Sequence, residues 1–164
     1  MRRNDFYRDP DQQLQVVEAM TQLIEHEPTN ARAYFRRGNA YANLGQYEQA
    51  KTDLSKVIAL EPHNAMAYNN RGSAHQCTGN HELAIEDLNR AIEIDANYLE
   101  AHHNRGLSHW ELGQLDAALD DLNRTIEIDA TFWPAYRHRG MVYALKGDQD
   151  ASFRDYLKTQ ELME

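Results

Sequence analysis

Arg-Gly dipeptides stand at Arg37-Gly38, Arg71-Gly72, Arg105-Gly106 and Arg139-Gly140, and each of these Gly residues lies 34 residues after the one before. A fixed period in the 20–50 range means one supersecondary unit stacked on copies of itself. In such a stack each unit touches only its neighbours. The long surface produced suits holding another chain better than enclosing a small substrate. The repeat thus constrains fold and function class together.

With the Gly counted as position 8, the units start at Ala31, Ala65, Leu99 and Trp133. Position 3 is Ala33, Ala67, Ala101 and Ala135; position 4 is Tyr34, Tyr68, His102 and Tyr136; position 11 is Tyr41, His75, His109 and Tyr143. A second Gly recurs at position 15 as Gly45, Gly79, Gly113 and Gly147. Position 20 is Ala50, Ala84, Ala118 and Ser152, and position 24 is Leu54, Leu88, Leu122 and Tyr156. Positions 4, 8 and 11 share a helical face, as do 20, 24 and 27. Gly at 8 and Ala at 20 remove bulk where two helices approach closely. Gly at 15 supplies the positive-φ residue that ends the first helix. Each unit therefore reads as a helical hairpin. First helices are expected near 31–44, 65–78, 99–112 and 133–146, and second helices near 47–60, 81–94, 115–128 and 149–162.

Composition narrows the partners. The net charge is −9, with acids spread along the chain. That disfavours nucleic acid, which needs a cationic surface to displace counterions, and it disfavours an anionic membrane. Cys77 is the one cysteine, which leaves no intrachain disulfide and no multi-Cys zinc site. The start, Met1-Arg2-Arg3-Asn4-Asp5-Phe6, has no apolar stretch like that of a secretory signal, and no run approaches 18 apolar residues. Cytoplasmic residence is the expectation.

The pattern resembles the tetratricopeptide repeat, a 34-residue helix–turn–helix with aromatic, Gly, Ala and Pro markers. The resemblance covers residues 31–164 and implies an all-α fold, a right-handed superhelical solenoid of helix–turn–helix repeats. Its expected parts are a flexible N-terminal arm (1–10), an N-terminal capping helix from a degenerate repeat (11–30), and repeats at 31–64, 65–98, 99–132 and 133–164. Asp9-Pro10 reads as an N-cap followed by Pro at the first helical position, and Pro28 falls in register with Pro62. Departures are local: Ala96 and Ala130 stand where the closing Pro is usual, and His75, His102 and His109 replace aromatics. Ser152 and Thr159 make the last helix more polar, as expected of a helix facing water. The alternative is that Phe153, Tyr156 and Leu157 form a sticky open end favouring a homodimer through the C-terminal helix.

Arg at position 7 and Asp at position 23 occur in all four units: Arg37, Arg71, Arg105 and Arg139 with Asp53, Asp87, Asp121 and Asp155. A guanidinium near packed surface needs a carboxylate, so the columns are expected to pair, within a repeat or across neighbours. A structural role fits better than four identical catalytic sites along a rod.

The resemblance implies that first helices line a concave groove holding a protein or peptide. The expected lining is Arg32, Phe35, Arg36 and Asn39 in the first unit, and Asn69, Asn70 and Ser73 in the second. The third supplies His103, Asn104, Leu107 and Trp110, and the fourth Arg137, His138 and Met141. Asparagine amides donate and accept, which suits the backbone of an extended peptide. Trp110 would be an aromatic anchor, or would pack against the next unit. The subclass that clamps chaperone C-termini carries cations where this chain has Phe35, Glu100 and Asn104, so that ligand is rejected. The histidines read as core-edge residues, not zinc ligands, and no phosphate-cradling loop or nucleophile elbow occurs. The chain reads as a non-enzymatic interaction module or adaptor without cofactor or metal. A dedicated chaperone of a secretion or assembly system, or a structural subunit of a larger or self-associated complex, is the alternative. Phe6-Tyr7 in the arm would contact a partner or fold back.

Overall fold

The computed structural model describes residues 9–164. Of the arm expected over residues 1–10, all before Asp9, with Phe6-Tyr7, lies outside the described residues, and Asp9 and Pro10 belong to the start of α1. Among these residues the chain forms nine α-helices and no strand: α1 (Pro10–His26), α2 (Ala31–Asn43), α3 (Tyr47–Leu60), α4 (Ala65–Cys77), α5 (His81–Ile94), α6 (Leu99–Glu111), α7 (Leu115–Ile128), α8 (Trp133–Lys146) and α9 (Gln149–Met163). They fall into two compact units, the first ending at Asn80 and the second beginning at His81. No helix among the described residues is long and apolar enough to cross a membrane.

Helix starts follow local chemistry. Asp9 caps α1 from its side chain, with Pro10 as the first helical residue. Asn30 and Asn64 each accept the backbone N–H three residues on, at 3.0 Å. Where the closing Pro is absent, an aspartate takes over the turn. Asp95 accepts the N–H of Asn97 at 3.0 Å, and Asp129 that of Thr131 at 2.8 Å. These are Asx turns, a side-chain substitute for the rigid ring.

The glycine columns do two different jobs. At position 15 the four glycines have φ between 71° and 84°, the left-handed cap that lets the chain leave the first helix. At position 8 the reason is contact: a Cβ on Gly106 would lie 3.2 Å from the Asp121 Cβ and 3.3 Å from the Leu122 Cγ. At Gly147 nothing lies near an added Cβ, so Gly147→Ala isolates the backbone cost. Equilibrium denaturation should register a loss of about 1 kcal/mol, and an unchanged midpoint would refute this account.

In the first unit Leu54 and Val57 of α3 pack with Ala67 of α4. In the second, Ala118 and Leu122 of α7 pack with Ala135 and Val142 of α8. α3 and α7 thus fill the space before the next first helix with small or branched residues, all fully excluded from solvent.

In the first, third and fourth repeats the Arg and Asp columns pair within the repeat. Arg105 donates from Nε to Asp121 Oδ2 at 2.8 Å and from Nη2 to Oδ1 at 2.6 Å. Arg37 with Asp53 and Arg139 with Asp155 make the same bidentate fork, at 2.7–2.8 Å. The remaining guanidinium nitrogen reaches back to the preceding second helix: Arg37 to Thr21, Arg71 to Ser55, Arg105 to Asn89 and Arg139 to Asn123. Tyr34 and Tyr41 flank Arg37 at 5.6 and 5.9 Å, and Tyr136 and Tyr143 flank Arg139 at 5.4 and 5.9 Å. The aromatic columns at 4 and 11 are therefore cation–π shelves for the arginine between them.

In the third repeat histidines take those shelves. His102 is buried and bridges Asp121 Oδ1, at 3.3 Å, to the Ala96 carbonyl, at 3.1 Å. Tyr136 makes the corresponding bond to the Ala130 carbonyl through its hydroxyl.

The last helix corrects the expectation of a water-facing polar face. Thr159 is buried and its hydroxyl donates to the Asp155 carbonyl at 2.8 Å, while Phe153, Tyr156, Leu157 and Met163 are exposed. The polar substitutions face α8 because a threonine can return its hydroxyl to its own helix. The apolar residues face outward because α9 has no following first helix among the described residues.

Candidate functional site

Successive first helices within each unit do share a lining. In the first unit, Asn70 of α4 donates to Asn39 Oδ1 of α2 at 2.9 Å, and Asn69 donates to Asn70 at 3.1 Å. The Asn39 and Asn70 amides thus orient each other across successive first helices. Ser73 is half-buried one turn further along α4. Arg32 and Arg36 stand four residues apart on α2, both exposed, and neither makes an ion pair among the described residues. With Met20 and Leu23 of α1 they border a cleft of about 320 Å³.

In the second unit, His103 of α6 and His138 of α8 are joined between Nε2 and Nδ1 at 2.9 Å. The His103 ring meets Phe132 edge-on at 5.2 Å, and the His138 ring lies 6.2 Å from that of Trp110. Burial, and then the neighbouring His138, lower the His103 pKa to about 4; burial and Arg137 lower that of His138. Asn104 hydrogen-bonds His103, and Leu107 is half-buried on the same helix. No cluster of three or more metal-ligating side chains occurs among the described residues.

The expected lining needs three corrections. Asn69 is buried, because position 5 turns toward the packed side of α4. Phe35 is partly buried against Leu54, Val57 and Ala67. Trp110 packs on the core of Ala118, Leu122, Ala135 and Val142, the second of its two expected readings. Positions 5 and 12 border the seam with the next first helix, where a large ring gains more from burial than from solvent. Arg137 and Met141 line a cleft of about 430 Å³ between α8 and α9, together with Trp133, Tyr156 and Met163.

The His103–His138 bond was not legible in the sequence, since each histidine was grouped only with its own helix. Their positions 5 and 6 in successive first helices are the signal that could have found it. The Arg32–Arg36 pair was legible as charge, but its apolar neighbours come from α1, outside the four repeats.

Comparison with known proteins agrees with this architecture. The family model described as the ETO1 C-terminal domain matches residues 1–143. MamA is similar at 28% identity and TM-score 0.84, over 90% of this chain and 86% of that one. The first tetratricopeptide domain of Spaghetti (RPAP3), solved with the HSP90 peptide SRMEEVD, is similar at 25% identity and TM-score 0.70, over 71% and 93%. YrrB, described as a tetratricopeptide protein with an unusual peptide-binding site, shares the fold at 24% identity and TM-score 0.78, over 93% and 78%. No curated protein matches. The fold is an all-α helical-repeat solenoid.

Proposed function

From the premise that this tetratricopeptide-repeat chain belongs to the ETO1 C-terminal domain family, we propose that it is an adaptor whose first helices hold a peptide segment or partner helix, without catalysis of its own. The observation that carries this reading is the direct bonding of successive first helices, Asn39 with Asn70 and His103 with His138. Such bonds fix polar side chains along the first helices of each unit before any ligand arrives, which lowers the ordering cost of binding. Arg32 and Arg36 favour an acidic segment carrying an apolar residue for the cleft beside Met20 and Leu23. The acidic peptide held by Spaghetti is consistent with that polarity. A chaperone-tail clamp of the usual kind is not proposed, because Phe35 and Glu100 stand where its cations would be.

Peptides selected from a display library test the reading. Arg32→Ala with Arg36→Ala should weaken a selected acidic peptide about tenfold or more in fluorescence anisotropy while helicity is unchanged. Equal affinity in the variant would remove the groove assignment. A second reading, self-association through the C-terminal helix, is favoured by the exposed apolar row of α9. Cytoplasmic residence is part of the same proposal.

A further inference from the structure

The outer end of α9 departs from the inner seams in two columns. Each first-helix arginine at position 7 finds an oxygen acceptor at position 25 of the preceding second helix: Thr21, Ser55, Asn89 and Asn123. In α9 that place is Leu157, 51% exposed. Position 24 is Leu54, Leu88 and Leu122 in the inner repeats, all fully buried, but Tyr156 in α9 is 56% exposed. A further Arg-bearing first helix would find here neither a guanidinium acceptor nor an aliphatic socket. This end is built for a different occupant.

Resting on the self-association reading above, we propose that the occupant is the same face of a second copy, in an antiparallel two-fold pairing of α9 with α9. Charge selects this arrangement. Arg154 and Glu161 are seven residues apart, two helical turns, and so share one flank of the row formed by Phe153, Leu157 and Gln160. In an antiparallel pair centred between Leu157 and Lys158, Arg154 of each copy lies against Glu161 of the other, twice by symmetry. A parallel pair sets unlike flanks together and leaves both charges unmatched. Arg154 is exposed and has no ion pair among the described residues. Glu161 is held only by the exposed Lys158 one turn away, a weak contact. The same register brings Met163 over Ser152 of the other copy, and both border the cleft between α8 and α9. A single helix pair is a small interface, so the dimer forms in a concentration-dependent way.

Sedimentation equilibrium of the full chain over a concentration series, at low and high salt, is the experiment. The wild type should show a monomer–dimer equilibrium that weakens with salt, and Leu157→Arg should leave monomer only, with unchanged helicity by circular dichroism. Arg154→Glu and Glu161→Arg should each weaken the dimer about tenfold, and the double swap should return it to within about threefold of wild type. Monomer at every concentration would overturn self-association and this pairing together, as would a dimer indifferent to Leu157→Arg. A dimer abolished by Leu157→Arg but not restored by the double swap would overturn the antiparallel pairing alone and leave self-association through α9 standing.

Discussion

Asp121→Ala is expected to cost about 3–5 kcal/mol of folding stability, the largest single-residue effect anticipated in the second unit. Asp121 is 4% exposed and accepts both arms of Arg105 and a bond from His102. Removing it strands a guanidinium whose other contact is only Asn89, and leaves His102 with the Ala96 carbonyl alone. The cost is that of an uncompensated buried charge, not the net worth of the pair. Each repeat is stabilised through its neighbours, so the loss should appear first in hydrogen exchange of α6 and α7. Glu127→Ala, an exposed pair with Arg124, supplies the contrast, with a cost of about 0–1 kcal/mol. Equal losses in the two variants, or no coupling between Arg105 and Asp121 in a double-mutant cycle, would show that the column is not an ion-pair framework.

Acid should weaken the second unit in two separable steps. His103 has its pKa lowered from 6.5 to about 4, by burial first and by His138 second. Between those values the unfolded chain binds a proton that the folded chain refuses, so stability falls as pH falls through this window. Roughly 3 kcal/mol is lost between neutral pH and 4, and the penalty is constant below that. The physical event is local: a neutral or singly protonated pair keeps one N–H between Nε2 and Nδ1, burial opposes the first added proton, and protonating both rings sets two N–H groups against each other. Asp121 acts lower. Burial raises its carboxyl, but Arg105 and His102 more than offset this and hold it below the ordinary 3.8. Its stabilisation is therefore present above that value and lost only as pH falls below it. Chemical denaturation across a pH series should show a shallower loss between pH 6.5 and 4 in His103→Gln, where only His138 remains, than in the wild type, with the lower step unchanged. A variant with the wild-type slope between pH 6.5 and 4 would assign the acid sensitivity elsewhere.

Helix positions were readable because periodicity reports them directly. Every first and second helix begins and ends within one residue of the expected place, since the Gly and Ala columns mark where chains cross and turn. The Arg–Asp pairing was readable as a need: a cation in a packed column requires an anion. The lining was less readable. Position 5 is Phe35, Asn69, His103 and Arg137, and one register number covers a seam residue, a buried amide, a cross-helix bond and a cleft wall. Spacing gives the angle of a side chain about its own helix, but not whether a neighbour has closed over that angle. The last helix misled for the same reason: polar letters suggested solvent, yet Thr159 satisfies its hydroxyl internally and Phe153 is left outside.

What the sequence determined by itself was the repeat, its hairpins and the need of each arginine column for a carboxylate, because these follow from local geometry copied four times. Only the tertiary structure decided which side chains stay open: the union of His103 with His138, the packing of Trp110 on the core, the burial of Asn69, and the bare apolar row on α9. Exposure belongs to pairs of helices, and a pattern written along one helix does not carry it.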